Sequence, residues 1–271
     1  MRRCASGDTV TQTFGAVYAA AYDPLYQDKN YVVECDLIEE LFRRYSAKRI
    51  STVLDLGSGT GNHAIPMSSR GYQVVAVERS QSMISVAQSK MARGHGPGSL
   101  VLRQGDIRNV QLGQQFDAAL MMFAVLGYQL ENSDVLSALR TVREHLHTDG
   151  LFVFDVWYGP AVIHQGPSQR VKVIPNGDGK ILRAAYSDLD VSRHLCQVVY
   201  HIWSFSGASL ESETEETHMM RYFFPMELCL FMECAGLKLV RLGAFPHFDQ
   251  DPDVSTWNVL GVARAISNAP E

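Results

Sequence analysis

The sequence predicts a doubly wound α/β fold with a mostly parallel sheet and an inserted antiparallel β meander. First, apolar strands alternate with amphipathic helices between residues 31 and 157. This alternation is typical of a parallel sheet that helices cover on both faces. Second, the glycine-rich turn "GSGTGN" directly follows the first apolar strand. Third, after Pro160 the runs alternate apolar with polar residues, which favours an antiparallel sheet with one solvent-exposed face.

Hydrophobic spacing assigns each element of the first half in turn. Residues 31–45 carry apolar side chains at helical spacing and predict a helix before the first strand, "TVLDL". Ser80 is the expected N-cap of the helix that follows the second strand. The other predicted elements are, in order, a short helix over 63–71, a strand over 72–80, a glycine-rich loop over 94–99, strands over 100–107 and 116–127, a helix that ends at 147–150 and a fifth strand over 151–157.

The second half of the chain is predicted to be an elaboration of the same sheet. Residues 170–223 show no convincing helical pattern, and we expect them to form the meander over the carboxyl edge of the main sheet. Pro225 and Gly236 delimit a helix, and two strands over 237–245 and 257–265 complete the sheet. The predicted organisation is a helical cap over the site at 1–50, an α/β core at 51–160, a β lid at 161–223 and a completing segment at 224–271.

Composition and charge exclude several function classes. The 271 residues carry a net charge of -5 without a basic run, which disfavours nucleic acid as a partner. No apolar stretch approaches the roughly 20 residues that span a bilayer, so no membrane association is expected. The five cysteines form no CxxC pair and the histidines no HExxH motif, which predicts a reduced, cytoplasmic protein without a metal site. The sequence does not determine the oligomeric state, and a homodimer is compatible with it.

The glycine turn favours a cationic ligand over a dinucleotide. The third glycine of a dinucleotide fingerprint falls on Asn62 here, and Asp55 stands two residues before Gly57. A carboxylate at that position repels a pyrophosphate and attracts a cation. S-adenosylmethionine (SAM) is such a ligand, with a sulfonium, an α-ammonium and no phosphate. The alternatives are that Asp55 satisfies loop amides, and that the chain is an NAD-type oxidoreductase.

Two further acids stand where a nucleoside needs them. Glu78 ends the second strand and is placed to accept both ribose hydroxyls, although NAD enzymes use an acid there too. Asp106 follows the third strand and is placed to accept from an adenine amino group, while the Ile107 amide faces a ring nitrogen. The alternative for Asp106 is a helix cap.

The motifs "VLDLGSGTGN", "VERS", "QGDI" and "FDAALMMF", in this order, resemble those of the class I SAM-dependent methyltransferases. The resemblance implies a Rossmann-like sheet, SAM as cofactor and S-adenosylhomocysteine as product. It implies that the glycines face the methionine and ribose portions, and that the end of the fourth strand lies beside the methyl donor. The predicted cofactor-binding residues are Tyr18, Tyr31, Asp55, Gly57, Ser58, Gly59, Gly61, Glu78, Arg79, Met83, Asp106, Ile107, Met122 and Phe123.

A narrower resemblance concerns "YDPLYQDKNYVVE", "MFAVLGY" and the strand meander, which are similar to amino-sugar N-methyltransferases of antibiotic pathways. "ETHMMRYFFPMEL" also resembles a wider bacterial group of small-molecule methyltransferases. This chain departs from the sugar enzymes in two places: it has "FDVWYGP" where they carry Glu-Pro-Trp, and Tyr128 where some members carry a His.

The resemblance implies in-line transfer of a methyl group to a small polar acceptor, with nitrogen preferred over oxygen as nucleophile. The alternatives are a small-molecule O-methyltransferase, an NAD-type oxidoreductase and a non-catalytic SAM-binding protein. Asp155 is the first candidate to orient or deprotonate the acceptor, with a loop cap as its alternative. The other predicted catalytic residues are Tyr22 and Tyr128, and the predicted substrate-binding residues are Trp157, His218 and Arg221.

Overall fold

The computed structural model describes residues 13–92 and 97–267. The first twelve residues of the predicted cap and half of the glycine-rich loop before the third strand, residues 94–96, lie outside this part of the chain. None of the helices in the described ranges combines the length and the hydropathy of a membrane span.

Seven strands form one mostly parallel sheet in the order β10-β11-β5-β4-β1-β2-β3. Neighbouring strands from β1 to β5 pair in parallel, and β11 runs antiparallel to both of its neighbours. The chain order reverses between β1 and β4, so the loops after these two strands face each other across one edge. The strands are β1 (Thr52–Leu56), β2 (Gln73–Glu78), β3 (Ser99–Gln104), β4 (Phe116–Met121), β5 (Leu146–Trp157), β10 (Leu237–Ala244) and β11 (Asn258–Ala265).

Helices cover both faces of this sheet because its strands are apolar on both sides. Val53 packs on one face with Ile38 of helix α2, whereas Leu54 packs on the other with Leu139 and Met232 of helices α5 and α7. The helices are α1 (Ala16–Leu25), α2 (Tyr31–Tyr45), α3 (Ala64–Ser69), α4 (Gln81–Met91), α5 (Asn132–Glu144), α6 (Gly159–Gln165) and α7 (Pro225–Cys234), with a short 3-10 helix at Val125–Tyr128.

A second sheet of four antiparallel strands follows α6, in the order β6-β7-β8-β9. We call it the lid sheet. Its strands are β6 (Arg170–Asn176), β7 (Gly179–Asp190), β8 (Leu195–Ser206) and β9 (Ser209–Arg221). Side chains from its inner face, among them Ile181 and Ile202, pack with Tyr18 and Leu25 of helix α1. The lid sheet and α1 therefore form one layer.

The predicted fold class is confirmed: a mostly parallel sheet carries an inserted antiparallel meander. The Ser80 hydroxyl accepts from Met83 N at 3.3 Å, as an N-cap does. The four-way division into cap, core, lid and completing segment stays a prediction. Two helices were not predicted individually. α6 has only seven residues and begins with Gly-Pro, and α1 contains Pro24 near its end.

Tight packing fixes the backbone of the turn after β1. Gly57 has a φ of +76°, and a Cβ at this residue would lie 2.5 Å from Cγ1 of Val125. Gly57 N also donates to the carbonyl of Val77 at 2.8 Å, which binds the turn to β2. The turn thus stays close to the loop after β4.

We expect Gly57→Ala to lower the free energy of unfolding by about 2–4 kcal/mol, because it adds a steric clash to the cost of a left-handed backbone. Gly113→Ala is the matched control, since Gly113 has a φ of +66° and open space around it. That variant should lose only about 1 kcal/mol. Urea unfolding measures both, and equal losses would contradict the assigned clash.

Candidate active site

A cavity of about 730 Å³ lies at the carboxyl ends of the parallel strands, between the main sheet, α1 and the lid sheet. This edge is where open α/β sheets bind their ligands. It brings together all of the predicted site residues except Gly61 and Arg221. Those that line it are Tyr18, Tyr22, Tyr31, Asp55, Gly57, Ser58, Gly59, Glu78, Arg79, Met83, Asp106, Ile107, Met122, Phe123, Tyr128, Asp155, Trp157 and His218.

Asp55 is a buried acid at the centre of this cavity wall. It is 2% exposed, and its Oδ2 accepts no hydrogen bond from a described residue. Burial raises the pKa of Asp55 to about 6, the neighbouring His63 opposes this rise, and the charge of Glu78 adds to it. An acid that merely served the loop amides would have both oxygens paired. Asp55 therefore has a free oxygen for a ligand.

Glu78 holds the glycine turn in place. Its Oε2 accepts from Gly59 N at 2.9 Å, and its Oε1 accepts from Ser80 N at 2.7 Å. One carboxylate thus joins the turn after β1 to the start of α4. Each oxygen retains a second lone pair, so the same group can still accept from a ligand hydroxyl.

Asp106 forms an ion pair instead of standing free. Arg108 Nη2 donates to its Oδ2 at 2.7 Å and Arg108 N donates to its Oδ1 at 3.0 Å. These hydrogen bonds lower the pKa of the Asp106 carboxyl. The contact between Arg108 N and Asp106 Oδ1 is that of a local cap, which was the alternative interpretation from the sequence. The contact of Asp106 with an adenine amino group stays a prediction.

The Asp155 carboxylate accepts hydrogen bonds from the backbone of the loop after β4. Its carboxylate accepts from Phe123 N and, at 3.1 Å, from Ala124 N, and both of these residues have positive φ. Burial raises the pKa of Asp155, and these amide bonds oppose the rise. Asp155 thus fixes the loop after β4, as its alternative as a loop cap proposed, and it also lines the cavity. Its action on the acceptor stays a prediction.

Arg221 lies outside the cavity. It forms an ion pair with Glu227, and its Nη2 donates to Asn132 Oδ1 at 2.8 Å. Strand alternation turns it away from His218, three residues earlier on β9. Its contact with substrate stays a prediction. Gly61 is also outside the cavity, because it faces Ile65 and Ala87 beneath the turn.

A buried chain of three polar side chains crosses from the lid sheet to the cavity. Tyr128 Oη lies 2.8 Å from His218 Nδ1, and His218 Nε2 lies 3.1 Å from Glu216 Oε2. The Glu216 carboxylate also accepts from Phe14 N at 2.9 Å and Gly15 N at 2.8 Å. A carboxylate held by two amide donors accepts from Nε2–H of His218. Nδ1 is then an acceptor for the Tyr128 hydroxyl.

Residues 53–150 match the family model of a methyltransferase domain. This segment is a methyltransferase domain. The match covers the glycine turn, Glu78, Asp106 and strand β4, which carry the motifs of the predicted resemblance. The similarity of fold extends further: an S-adenosylmethionine-dependent methyltransferase from Clostridium acetobutylicum aligns with a TM-score of 0.78 and 19% identity, over 93% of this chain and 98% of that one. The predicted class I methyltransferase fold is confirmed.

Curated relatives match at higher identity over shorter lengths. A dTDP-3-amino-3,4,6-trideoxy-alpha-D-glucopyranose N,N-dimethyltransferase from Streptomyces venezuelae is 28% identical over 55% of this chain and 61% of its own length. A dTDP-3-amino-3,6-dideoxy-alpha-D-glucopyranose N,N-dimethyltransferase from Streptomyces fradiae is 32% identical over 52% of this chain and 54% of its own. The chain thus matches between about half and two thirds of the length of these relatives, and the narrower resemblance to amino-sugar N-methyltransferases is confirmed at that level.

Aromatic side chains close the cavity above the methyltransferase domain. Tyr18 is 2% and Tyr22 9% exposed, and burial raises the pKa of both hydroxyls well above the ordinary value. The Tyr22 and Phe123 rings meet edge-to-face at 6.3 Å. Trp157 packs against Trp257 with ring centroids 5.5 Å apart. These rings exclude water from the cavity.

A polar network joins α1 to the glycine turn. Asp23 Oδ1 accepts from Thr60 Oγ1 at 2.6 Å and from Asn62 Nδ2 at 3.0 Å, while Asp23 Oδ2 accepts from Lys90 Nζ at 2.8 Å. Lys90 also donates to Asn62 Oδ1 at 2.6 Å. Asn62 stands where a dinucleotide fingerprint has glycine, and this contact gives its side chain a structural role.

Sequence reasoning missed several residues of the site. Glu216 ends an acidic run on β9, and Asp23 lies in the motif "YDPLYQDKNYVVE", but neither was predicted as a site residue. The period-2 pattern of β9 does place Glu216 on the same face as His218, which is the one local signal that was available. Among the described residues, no three His, Cys, Asp or Glu side chains come together as a metal-binding group.

We expect Asp23→Ala to loosen helix α1, because it removes all three hydrogen bonds to the glycine turn and α4. Amide hydrogen exchange in residues 16–25 should become about tenfold faster, which corresponds to a loss of about 1.4 kcal/mol in local opening. Glu40→Ala is the control, since Glu40 pairs with Arg44 on the exposed face of α2. Equal exchange in α1 for both variants would show that Asp23 does not hold the cap.

Proposed function

We propose that this protein is a SAM-dependent methyltransferase that acts on the amine nitrogen of a small polar acceptor. The observation that carries the proposal is the buried Asp55 carboxylate, which lines the cavity and whose Oδ2 has no hydrogen-bond partner among the described residues. A buried acid without a partner is costly unless a ligand supplies one. A cationic amino group is such a partner.

The residues around the cavity fit the cofactor. Asp55 would hold its α-ammonium, and Glu78 would accept from its ribose hydroxyls. The buried hydroxyl of Ser58 has no hydrogen-bond partner among the described residues, and that of Tyr31 interacts with Asn62; both residues add polar groups to the cavity wall. Asp106 would accept from the adenine amino group beside Arg108. When bound, SAM supplies a methyl group on a sulfonium, which needs no further activation.

The chain contributes positioning and the exclusion of water. Methyl transfer requires nucleophile, methyl and sulfur in a line, and holding this geometry provides much of the rate acceleration. Asp155 fixes the backbone of Phe123 and Ala124, which places the end of β4 against the cavity. Tyr18 and Tyr22 of α1 cover the opposite side. A closed, dry site strengthens the electrostatic interactions inside it.

The Glu216, His218 and Tyr128 chain gives an amine acceptor a path for its proton. An ammonium must lose a proton to become a nucleophile, and a positioned base aids this step. With Tyr128 donating to His218 Nδ1, the phenolic oxygen has lone pairs left to accept from the amine. The proton then passes from the amine to Tyr128 while the Tyr128 proton moves to His218. Glu216 stabilises the imidazolium that results.

The names of the relatives support an amino sugar as the acceptor class. Both enzymes from Streptomyces are named for dTDP-linked amino sugars that are methylated on nitrogen. We extend this substrate class to the present chain as part of the proposal. A cytoplasmic location, for which the free thiols of Cys35 and Cys196 are the support, stays a prediction, as do a homodimer and the absence of nucleic-acid partners.

We expect calorimetry to show binding of SAM but not of NAD, with SAM about tenfold weaker at pH 5 than at pH 7.5. Burial raises the pKa of Asp55 to about 6, so the carboxyl gains a proton as the pH falls through that value and loses its attraction for a cation. Asp55→Asn should bind SAM weakly at both pH values. Any pH dependence left in Asp55→Asn would come from a group other than Asp55.

Binding of NAD alone would overturn the proposed function. Wild-type affinity and pH dependence in Asp55→Asn would overturn the assignment of Asp55, even if SAM binds. Urea unfolding of the variant shows whether its fold is intact.

We expect Tyr128→Phe to lower kcat for methylation of a dTDP-linked amino sugar about a hundredfold while SAM affinity stays within twofold. The variant keeps the ring and removes the hydroxyl that receives the amine proton. Tyr186→Phe is the control, because Tyr186 is exposed on the lid sheet and does not line the cavity. An unchanged kcat in Tyr128→Phe would exclude the proton path. Product mass spectrometry separates nitrogen from oxygen as the methylated atom.

A further inference from the structure

A second cavity, of about 540 Å³, lies between the segment after α1 and the lid sheet. We call it the cationic groove, because four basic side chains line it: Lys29, Arg170, Lys172 and Arg183. In the described part of the chain, one acidic residue, Asp28, also lines the groove. Tyr26 lines both this groove and the main cavity, so the two meet at its ring.

Strand register places three of these cations side by side. Lys172 of β6 lies directly opposite Arg183 of β7, and Arg170 lies two residues along β6 on the same face. Like charges directly opposite each other on a sheet are destabilising. The Asp28 carboxylate and the carbonyl of Leu25, to which Lys172 Nζ donates at 2.7 Å, offset part of this repulsion, and an external anion between the side chains would offset the rest.

The acids nearby neutralise only part of this charge. Lys172 pairs with Asp28 at 2.7 Å, and Lys29 pairs with Glu34 at 3.0 Å. Arg170 and Arg183 form no ion pair with any residue in the described ranges. Arg170 Nε donates to the Ser168 hydroxyl at 2.9 Å. Arg170 thus remains without an opposite charge in the described ranges, and Arg183 shares the single carboxylate of Asp28 with Lys172.

Arg183 is held in position but is not saturated. Its guanidinium lies 5.4 Å from the Tyr26 ring centroid and 5.1 Å from that of Tyr200, and both tyrosines line the main cavity. Its Nη1 donates to Tyr26 Oη at 3.2 Å. Its buried Nε has no hydrogen-bond partner among the described residues. Stacking orients the planar group, and the free N–H is an available donor.

We propose that the cationic groove binds a phosphate or diphosphate group carried by the acceptor, with the amine of the same molecule in the main cavity. The inference rests on the proposed function, since it assigns the substrate of that site. Guanidinium groups match phosphate oxygens with paired hydrogen bonds, and Lys172 adds a further positive charge. Tyr26 stands where the acceptor passes from one cavity to the other.

Calorimetry of the full chain with inorganic pyrophosphate tests the groove without any methyl transfer. We expect Arg170→Gln and Arg183→Gln each to weaken binding about tenfold, and added salt to weaken it further. Arg170 has an exposed side chain, so its substitution leaves folding intact even if Arg183→Gln does not fold. Lys180→Gln is the matched control: Lys180 lies three residues from Arg183 on β7 and therefore faces the other side of the sheet.

A kinetic comparison then identifies the source of the anion. We expect Arg170→Gln to raise KM for a dTDP-linked amino sugar about tenfold and to leave KM for the free amino sugar unchanged. Weak pyrophosphate binding in the wild type, or equal weakening in Lys180→Gln, overturns the groove. Loss of pyrophosphate binding with both KM values unchanged overturns the acceptor assignment, because the groove then takes a free anion. Absence of SAM binding, measured separately, is a failure of the proposed function alone.

Discussion

Carboxylates at the ends of the parallel strands organise the ligand-binding edge of this protein. Glu78 binds the turn after β1 to the start of α4, and Asp155 holds the loop after β4 in a left-handed backbone. The strands bring these acids together because their carboxyl ends share one edge. With those two occupied by backbone amides, Asp55 is the acid left with an unpaired oxygen for a ligand.

A second organising group belongs to the lid sheet. Glu216 accepts from the amides at the start of α1 and from His218, so it joins the cap helix to the polar chain that ends at Tyr128. The position of the helix and the tautomer of His218 thus depend on the same carboxylate. Because α1 supplies Tyr18 and Tyr22 to the cavity, the cover of the cavity and the proposed proton path depend on the same carboxylate.

Local patterns were sufficient for most of the strands and helices and for the acids that line the cavity. The Ser80 cap, the period of helix 31–45 and the unusual place of Asp55 are all readable within a few residues, and short-range rules describe them well. The backbone contacts of Asp155 were not readable in this way, because its partners lie 31 and 32 residues away along the chain. Glu216 caps a helix that lies about 200 residues earlier in the sequence. Lys172 and Arg183 lie opposite each other because of the register between β6 and β7, which no local sequence pattern predicts. Such contacts depend on tertiary packing.

The network around Asp23 has a kinetic consequence. Helix α1 is tied down by carboxylates at both ends, by Glu216 at its start and by Asp23 near its finish. Movement of this helix away from the cavity requires the bonds at both ends to break. The rate at which that side of the cavity opens is therefore set by two carboxylates that lie about 190 residues apart in the sequence but act on one helix.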